Sequence, residues 1–351
     1  MRATTSNAKK QLESPRRFAT ATGRVVYALN FEVFPNFFGN VYLIDDGDRR
    51  ILVDCGSGMD FSNENLVRGM ASIEDRFGAR VGLADVDVIL ITHGHMDHFG
   101  GLQFVRRHTE APVGIHVLDR RVLTHYEERV VVASQQLRVF LHRAGLSAGK
   151  CDQLMTMYTA PKARYGSVPV QFLLEEGQPV RDGNGADVDI KVLHVPGHCP
   201  GQVCLRIDDV LLTADHVLAR ITPHQSPESL TLNMGLGHYL DALGKVEKLD
   251  GVRVGLGGHE EPIEDVTARV GEIRESHDKR LDVIMDTCRA PQTTADISRR
   301  LFGAVRGYTV LLALEEAGAH VEYLYQRGEL VAENVGELES EQDPVVRYVR
   351  A

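Results

Sequence analysis

Three histidines and an aspartate crowd the segment His93-Gly94-His95-Met96-Asp97-His98, directly after the apolar run of residues 86–91. Alternation along an extended chain sends His93 and His95 to one side, and a tight turn brings Asp97 and His98 to a neighbouring point. Gly100-Gly101 follows, and residues without a Cβ let backbones approach closely. Neutral imidazoles and a carboxylate suit zinc, iron or manganese, and donor softness alone does not choose among them. The spacing therefore predicts two adjacent metal sites. Isolated histidines carry no such pattern, so His108, His116, His125 and His142 read as ordinary surface or core residues.

The run resembles the HxHxDH signature of the metallo-β-lactamase superfamily, and that family's other motifs occur in order over residues 24–265. Asp54, in Ile51-Leu52-Val53-Asp54-Cys55-Gly56, matches its early aspartate, which supports the ligand loops through hydrogen bonds. His198 lies in Val195-Pro196-Gly197-His198-Cys199-Pro200-Gly201, Asp215 in Leu212-Thr213-Ala214-Asp215-His216, and His259 in Gly257-Gly258-His259-Glu260. The resemblance implies that His93, His95 and His198 hold a first metal, that Asp97, His98 and His259 hold a second, and that Asp215 bridges them. Two divalent ions follow, zinc foremost, with iron or manganese as alternatives. Two departures stand out: Glu260 follows His259 where Gly is commoner, and Ala214 replaces the frequent Gly before Asp215. His194, His216 and Cys199 adjoin ligand positions but match none, and read as packing or supporting residues.

Two cations a few ångströms apart raise the acidity of a bridging water and polarise an electrophile. The expected activity is that of a dinuclear metal-dependent hydrolase acting through a metal-bridged hydroxide, with Asp97 as both ligand and catalytic residue. An ester, thioester or lactone heads the substrate classes. A metal-dependent ribonuclease or phosphodiesterase and a non-catalytic metal-binding regulatory protein are the alternatives. Phe31, Phe34, Phe37 and Phe38 cluster beside Pro35 and Asn36, as an apolar substrate pocket or as core, and favour a small-molecule acyl group. His224 and Tyr239 are further candidates for the cleft.

The elements that must position these residues can be read from periodicity. Short β-rich runs at residues 24–29, 40–44 and 50–53 are separated by Gly- and Asp-bearing turns, and residues 61–77 have helical spacing. The run 86–91, apolar but for Asp87, predicts a strand buried on both faces. Residues 119–158 read as two helices, part of a helical insertion over 119–165 that could lid the site. Strands return at 168–173, 189–194, 202–207 and 210–213, then a helix at 237–249 and a strand at 252–255. The alternation predicts an α/β fold, and the resemblance specifies it as a four-layer αββα metallo-β-lactamase sandwich over residues 21–262. Residues 263–332 then read as helices at 263–288, 293–301 and 308–326, with a short run at 330–332. That outline resembles a small helical winged-helix-like C-terminal domain, serving as a packing or dimerising appendage, which leaves a homo-oligomer open. Residues 1–20 read as a disordered arm and 333–351 as an acidic surface tail.

Composition narrows the partners. With 351 residues, 43% hydrophobic and 25% charged, no apolar run reaches the length of a membrane span. A net charge of −10 makes nucleic acid a less favoured partner. Cys55, Cys151, Cys199, Cys204 and Cys288 contain no CxxC pair, so a disulfide framework is not expected and a cytoplasmic setting fits.

Overall fold

A computed structural model describes residues 14–182, 185–341 and 343–351. The first half of the chain builds a seven-stranded sheet from β1 (Arg16–Ala19), β2 (Val25–Phe34), β3 (Phe37–Asp45), β4 (Arg50–Val53), β5 (Val88–Leu90), β6 (Val113–Ile115) and β7 (Phe172–Leu173), in that spatial order. Pairing is antiparallel through β4 and parallel from β4 to β7. After the hairpin β8 (Val180–Arg181) and β9 (Asp187–Val188), a second sheet forms from β10 (Lys191–His194), β11 (Val203–Ile207), β12 (Val210–Ala214) and β13 (Val254–Gly257). In it β10 and β12 both run antiparallel to β11, and β13 lies parallel to β12.

The two sheets pack face to face, and the period-2 alternation of each strand dictates how. Val88 and Leu90 of β5 enter the core between the sheets, with Val26, Ile44 and Ile51 from the same sheet and Val203, Leu205, Leu212 and Leu256 from the other. Ile89 and Ile91 point the opposite way, into a core capped by helix α1 (Asp60–Phe77) through Leu66, Met70 and Ile73. The apolar run after residue 85 is therefore buried on both faces, as its composition predicts. Helices α2 (Met96–Phe99) and α3 (Leu102–Val105) follow β5, and α4 (Arg120–Thr124), α5 (Tyr126–Arg143) and α6 (Ala148–Thr159) form the insertion, one helix more than expected. Outside the second sheet lie α7 (Leu236–Glu247), burying Leu236, Tyr239, Leu243 and Val246 at helical spacing, and α8 (Val266–Thr287), burying Val270 and Ile273. These layers make a four-layer α/β/β/α sandwich.

The C-terminal region is helical, as expected: after α8 come β14 (Gln292–Thr293), α9 (Thr294–Phe302), α10 (Thr309–Gln326), β15 (Leu330–Ala332), α11 (Val335–Ser340) and β16 (Arg347–Arg350). Thr293 caps α9 in a reciprocal box with Asp296. Two readings of the termini change. Residues 16–19 are a strand paired with β2, whereas residues 1–13 of the expected arm lie outside the described residues. Residues 333–351 are not a tail: β16 is the middle strand of a sheet ordered β14-β16-β15, and Tyr348 packs against the core of α8, α9 and α10. The acidic stretch after Gly336 disguises that strand. The expected strand at 168–173 contracts to its last two residues. The C-terminal helices share cores with the rest of the chain: Ala295, Leu311 and Leu314 pack with Leu137, Leu141 and Leu154 of the insertion. Among the described residues, no helix is long and apolar enough to cross a membrane.

Close backbone approach is built in where the ligand loops meet. A Cβ on Gly101 would lie 2.0 Å from the carbonyl oxygen of Cys55, and one on Gly258 would lie 2.2 Å from Asp215 Oδ1. Both departures noted in the motifs fall at left-handed backbone positions, Ala214 at φ 46° and Glu260 at φ 65°, which an L side chain adopts at a cost of about 1–2 kcal/mol. Glu260 recovers part of that cost because its Oε2 accepts the N–H groups of Arg220 and Ile221 at 2.7 and 3.2 Å.

Gly101→Ala should destabilise the fold by about 1–3 kcal/mol through overpacking. Gly271→Ala, on the exposed face of α8 with nothing near its Cβ, should stabilise by about 0.5–1 kcal/mol; calorimetric unfolding reads both, and equal midpoints would contradict the close approach. Ala214→Gly should be neutral or stabilising by about 1 kcal/mol, whereas Glu260→Gly should destabilise, because two backbone donors lose their acceptor. Denaturant titration of the pair checks that the two signs differ.

Candidate metal centre

Every predicted ligand sits in the segment leaving the carboxyl end of a strand, Asp97 and His98 on the short helix α2 and the others in loops, where open α/β sheets place their sites. His93, His95, Asp97 and His98 follow β5, His198 follows β10, Asp215 follows β12 and His259 follows β13. Their atoms converge: His93, His95 and His198 offer atoms within 4.8 Å of one another, as do Asp97, His98 and His259. Asp215 stands between these groups. Its Oδ2 lies 3.6 Å from His198 Nε2 and 3.3 Å from His259 Nε2, and its Oδ1 lies 3.5 Å from His98 Nε2. Asp97 Oδ2 is 3.4 Å from His259 Nε2.

Hydrogen bonds on the far side of the rings fix which nitrogen faces inward. His98 Nδ1–H donates to Asp54 Oδ2 at 2.8 Å, His198 Nδ1–H to the carbonyl of His224 at 2.6 Å, and His259 Nδ1–H to the carbonyl of Phe38 at 2.7 Å. The two backbone carbonyls can only accept, so the tautomers of His198 and His259 are set. Thr92 Oγ1 gives its single proton to Asp54 Oδ2 and lies 3.1 Å from His93 Nδ1, which must then donate. The inward atoms His93 Nε2, His98 Nε2, His198 Nε2 and Asp215 Oδ1 are buried without a hydrogen-bond partner. An orphaned buried polar atom costs about 1–3 kcal/mol. Several such lone pairs facing one another fit a divalent cation, and imidazole with carboxylate is the donor set of zinc, iron and manganese sites.

Charge follows the same plan. Burial pushes the pKa of His93, His95 and His198 down, keeping their lone pairs available. At His98 and His259 burial acts in the same sense, yet Asp215 and the neighbouring Asp54 and Asp97 outweigh it, raising His98 well above the ordinary range and His259 to about 10. Burial opposes ionisation of Asp97 and Asp215 as well, but His98 and His259 hold both well below the usual carboxylate range. The concentrated negative field that raises both imidazoles is also one that attracts divalent cations.

Several neighbours go beyond the sequence reading. Asp119, buried, accepts the N–H of Gly94 at 2.8 Å and of Gly201 at 2.9 Å, tying together two ligand loops, and burial raises it to about 6. In the sequence it is merely an aspartate before a helix. Cys199 is a correction: its Sγ lies 3.3 Å from His95 Nε2 and within the His93, His95, His198 group, so it faces the site as well as packing. His194 stacks on His116 at 3.9 Å, and His216 is buried against Tyr239, both outside the ligand groups. Tyr239 is interior, donating its hydroxyl to the carbonyl of His216, and His224 contributes its backbone. Phe31 is core, but Phe37 is 41% exposed with its ring 4.5 Å from that of His259.

The sequence matches the metallo-beta-lactamase superfamily over residues 35–263. It is 24% identical to a probable metallo-hydrolase of Bacillus subtilis, over 81% of this chain and 86% of that protein. It is 29% identical to an acyl-coenzyme A thioesterase of Gallus gallus, over 51% of this chain, and spans only 57% of that relative's length. The fold aligns with the crystal structure of a metallo-beta-lactamase family protein from Thermus thermophilus at a TM-score of 0.75 and 25% identity, covering 93% of this chain and 98% of that one. Sequence, sheet topology and the convergence of the histidine loops agree, and the chain belongs to the metallo-beta-lactamase superfamily.

Proposed function

We propose that this protein is a hydrolase that holds two divalent cations and cleaves thioesters of carboxylic acids. The observation that carries the reading is the set of buried, unpartnered atoms His93 Nε2, His98 Nε2, His198 Nε2 and Asp215 Oδ1 aimed at one another. His93, His95 and His198 would hold one cation, Asp97, His98 and His259 the other, with Asp215 shared; zinc suits this set, as do iron and manganese. When bound, such ions supply Lewis acidity and raise the acidity of water. Asp97 Oδ2, beside His259 Nε2, is the protein atom placed to orient a nucleophilic water and hold its proton. Asp54, Thr92 and Asp119 keep the loops from rearranging as charge develops. Phe37 offers an exposed apolar rim to the acyl portion. The thioesterase relative supports an acyl substrate, and the net charge of −10 disfavours the long phosphate backbone of RNA.

Asp215→Ala should lower bound metal and turnover together. Changes one shell further out already cost about 10–100-fold, so loss of this shared carboxylate should exceed that; elemental analysis alongside a hydrolysis assay tests it, and full activity would refute the two-cation reading. Metal-replete protein offered acyl-coenzyme A thioesters, lactones and RNA should cleave thioesters and lose that activity to a chelator. Cleavage of RNA alone would sink the acyl assignment. Phe37→Ala should raise KM for long acyl chains about 3–10-fold, equivalent to ~1 kcal/mol of apolar contact, with kcat little changed; steady-state kinetics across chain lengths reads the split.

A further inference from the structure

His198 takes its orientation from an unusual place. Its Nδ1–H donates to the carbonyl of His224, in the long connection between β12 and α7 that contains no helix or strand of its own. Something else must hold that carbonyl still. Residues 222–226 are gripped from α10. Glu316 Oε2 accepts the N–H of Gln225 at 2.7 Å and lies 3.4 Å from His224 Nδ1. Glu315 Oε2 lies 3.1 Å from His224 Nε2 and accepts the hydroxyl of Ser226 at 3.2 Å. Arg280 of α8 donates to Glu316 Oε1 and to Thr222 Oγ1. The helix sits hard against the loop: a Cβ on Gly318 would come within 2.8 Å of both Pro227 and Phe140. Glu315 and Glu316 are buried to 9% and 6% exposure, a costly arrangement for adjacent carboxylates that apolar residues would avoid if α10 were only packing.

We infer that Glu315 and Glu316 are positioning residues for a metal ligand, so that the C-terminal helix α10 sets the affinity of the His93, His95 and His198 group for its cation. The inference rests on the metal-binding reading of His198. Loss of either carboxylate frees the His224 carbonyl to tilt, and His198 then meets the cation with a mobile ring.

The test is titration of chelator-stripped full-length protein with Zn²⁺ against a chromophoric competitor, and with Co²⁺ followed by its visible spectrum. Glu316→Gln and Glu315→Gln should each weaken one of two binding steps about 10–100-fold and leave the other in place. Glu315→Gln is the milder change and serves if Glu316→Gln does not fold. Leu324→Ala, in the core between α8, α9 and α10, should lower the unfolding temperature while leaving both binding steps unchanged. Unaltered binding steps in the folded carboxylate variants, or an equal loss in Leu324→Ala, would overturn the inference. His198→Ala separates the two claims, since unchanged metal binding in that variant removes the reading beneath.

Discussion

One carboxylate fixes the arrangement on which half of the centre rests. Asp54 closes β4 in a left-handed conformation, φ 63°, and its N–H bonds the carbonyl of Leu90 at the end of the neighbouring strand. Its Oδ1 takes the N–H of Thr92, and its Oδ2 takes both the Thr92 hydroxyl and His98 Nδ1–H. Both oxygens are thus committed to the loop after β5. The conformation of that loop satisfies all three donors at once, and His93 and His98 take their ring orientations from it. Buried donors and acceptors left unmatched would cost more than the bonds contribute, so the loop is held by the penalty for leaving as much as by the bonds themselves.

The remaining ligands come from the other sheet, and they meet the first group only because the two sheets share one core. Asp119 then reaches across the seam, joining the loop of His93 and His95 at Gly94 to the loop of His198 at Gly201. The inward atoms receive no such help. The fold places four unsatisfied polar atoms, the left-handed Ala214 and the close contact of Gly258 with Asp215 in one small volume, the usual sign of stability yielded to function.

The histidine cluster was legible because its spacing repeats the period of a strand and a turn, so local geometry alone brings the groups together. Strands β2 to β5 and the four of the second sheet were legible for the same reason, whereas β6, three residues long, was not. Terminal strands were not: β1 is short and mostly exposed, and β16 follows an acidic stretch that argues for solvent. Asp119 and Glu316 escaped because their roles exist only between elements far apart in sequence, and nothing in the residues around them differs from a helix cap or a charged helix face. Cys199 was half read. Its burial followed from its neighbours, but the direction of its thiol depends on where His95 lies.

The place of β16 has a consequence for how the protein is made. This strand, the middle one of its sheet, follows α10 in the chain, so the sheet beside α10 cannot close until residues 347–350 have left the ribosome. Synthesis delivers residues one after another and N-terminal units fold first. The sandwich and the cluster from His93 to His98 can therefore assemble early, while the connection that orients His198 waits for α10 to dock. The first ligands are thus made well before the helix that steadies one of the others.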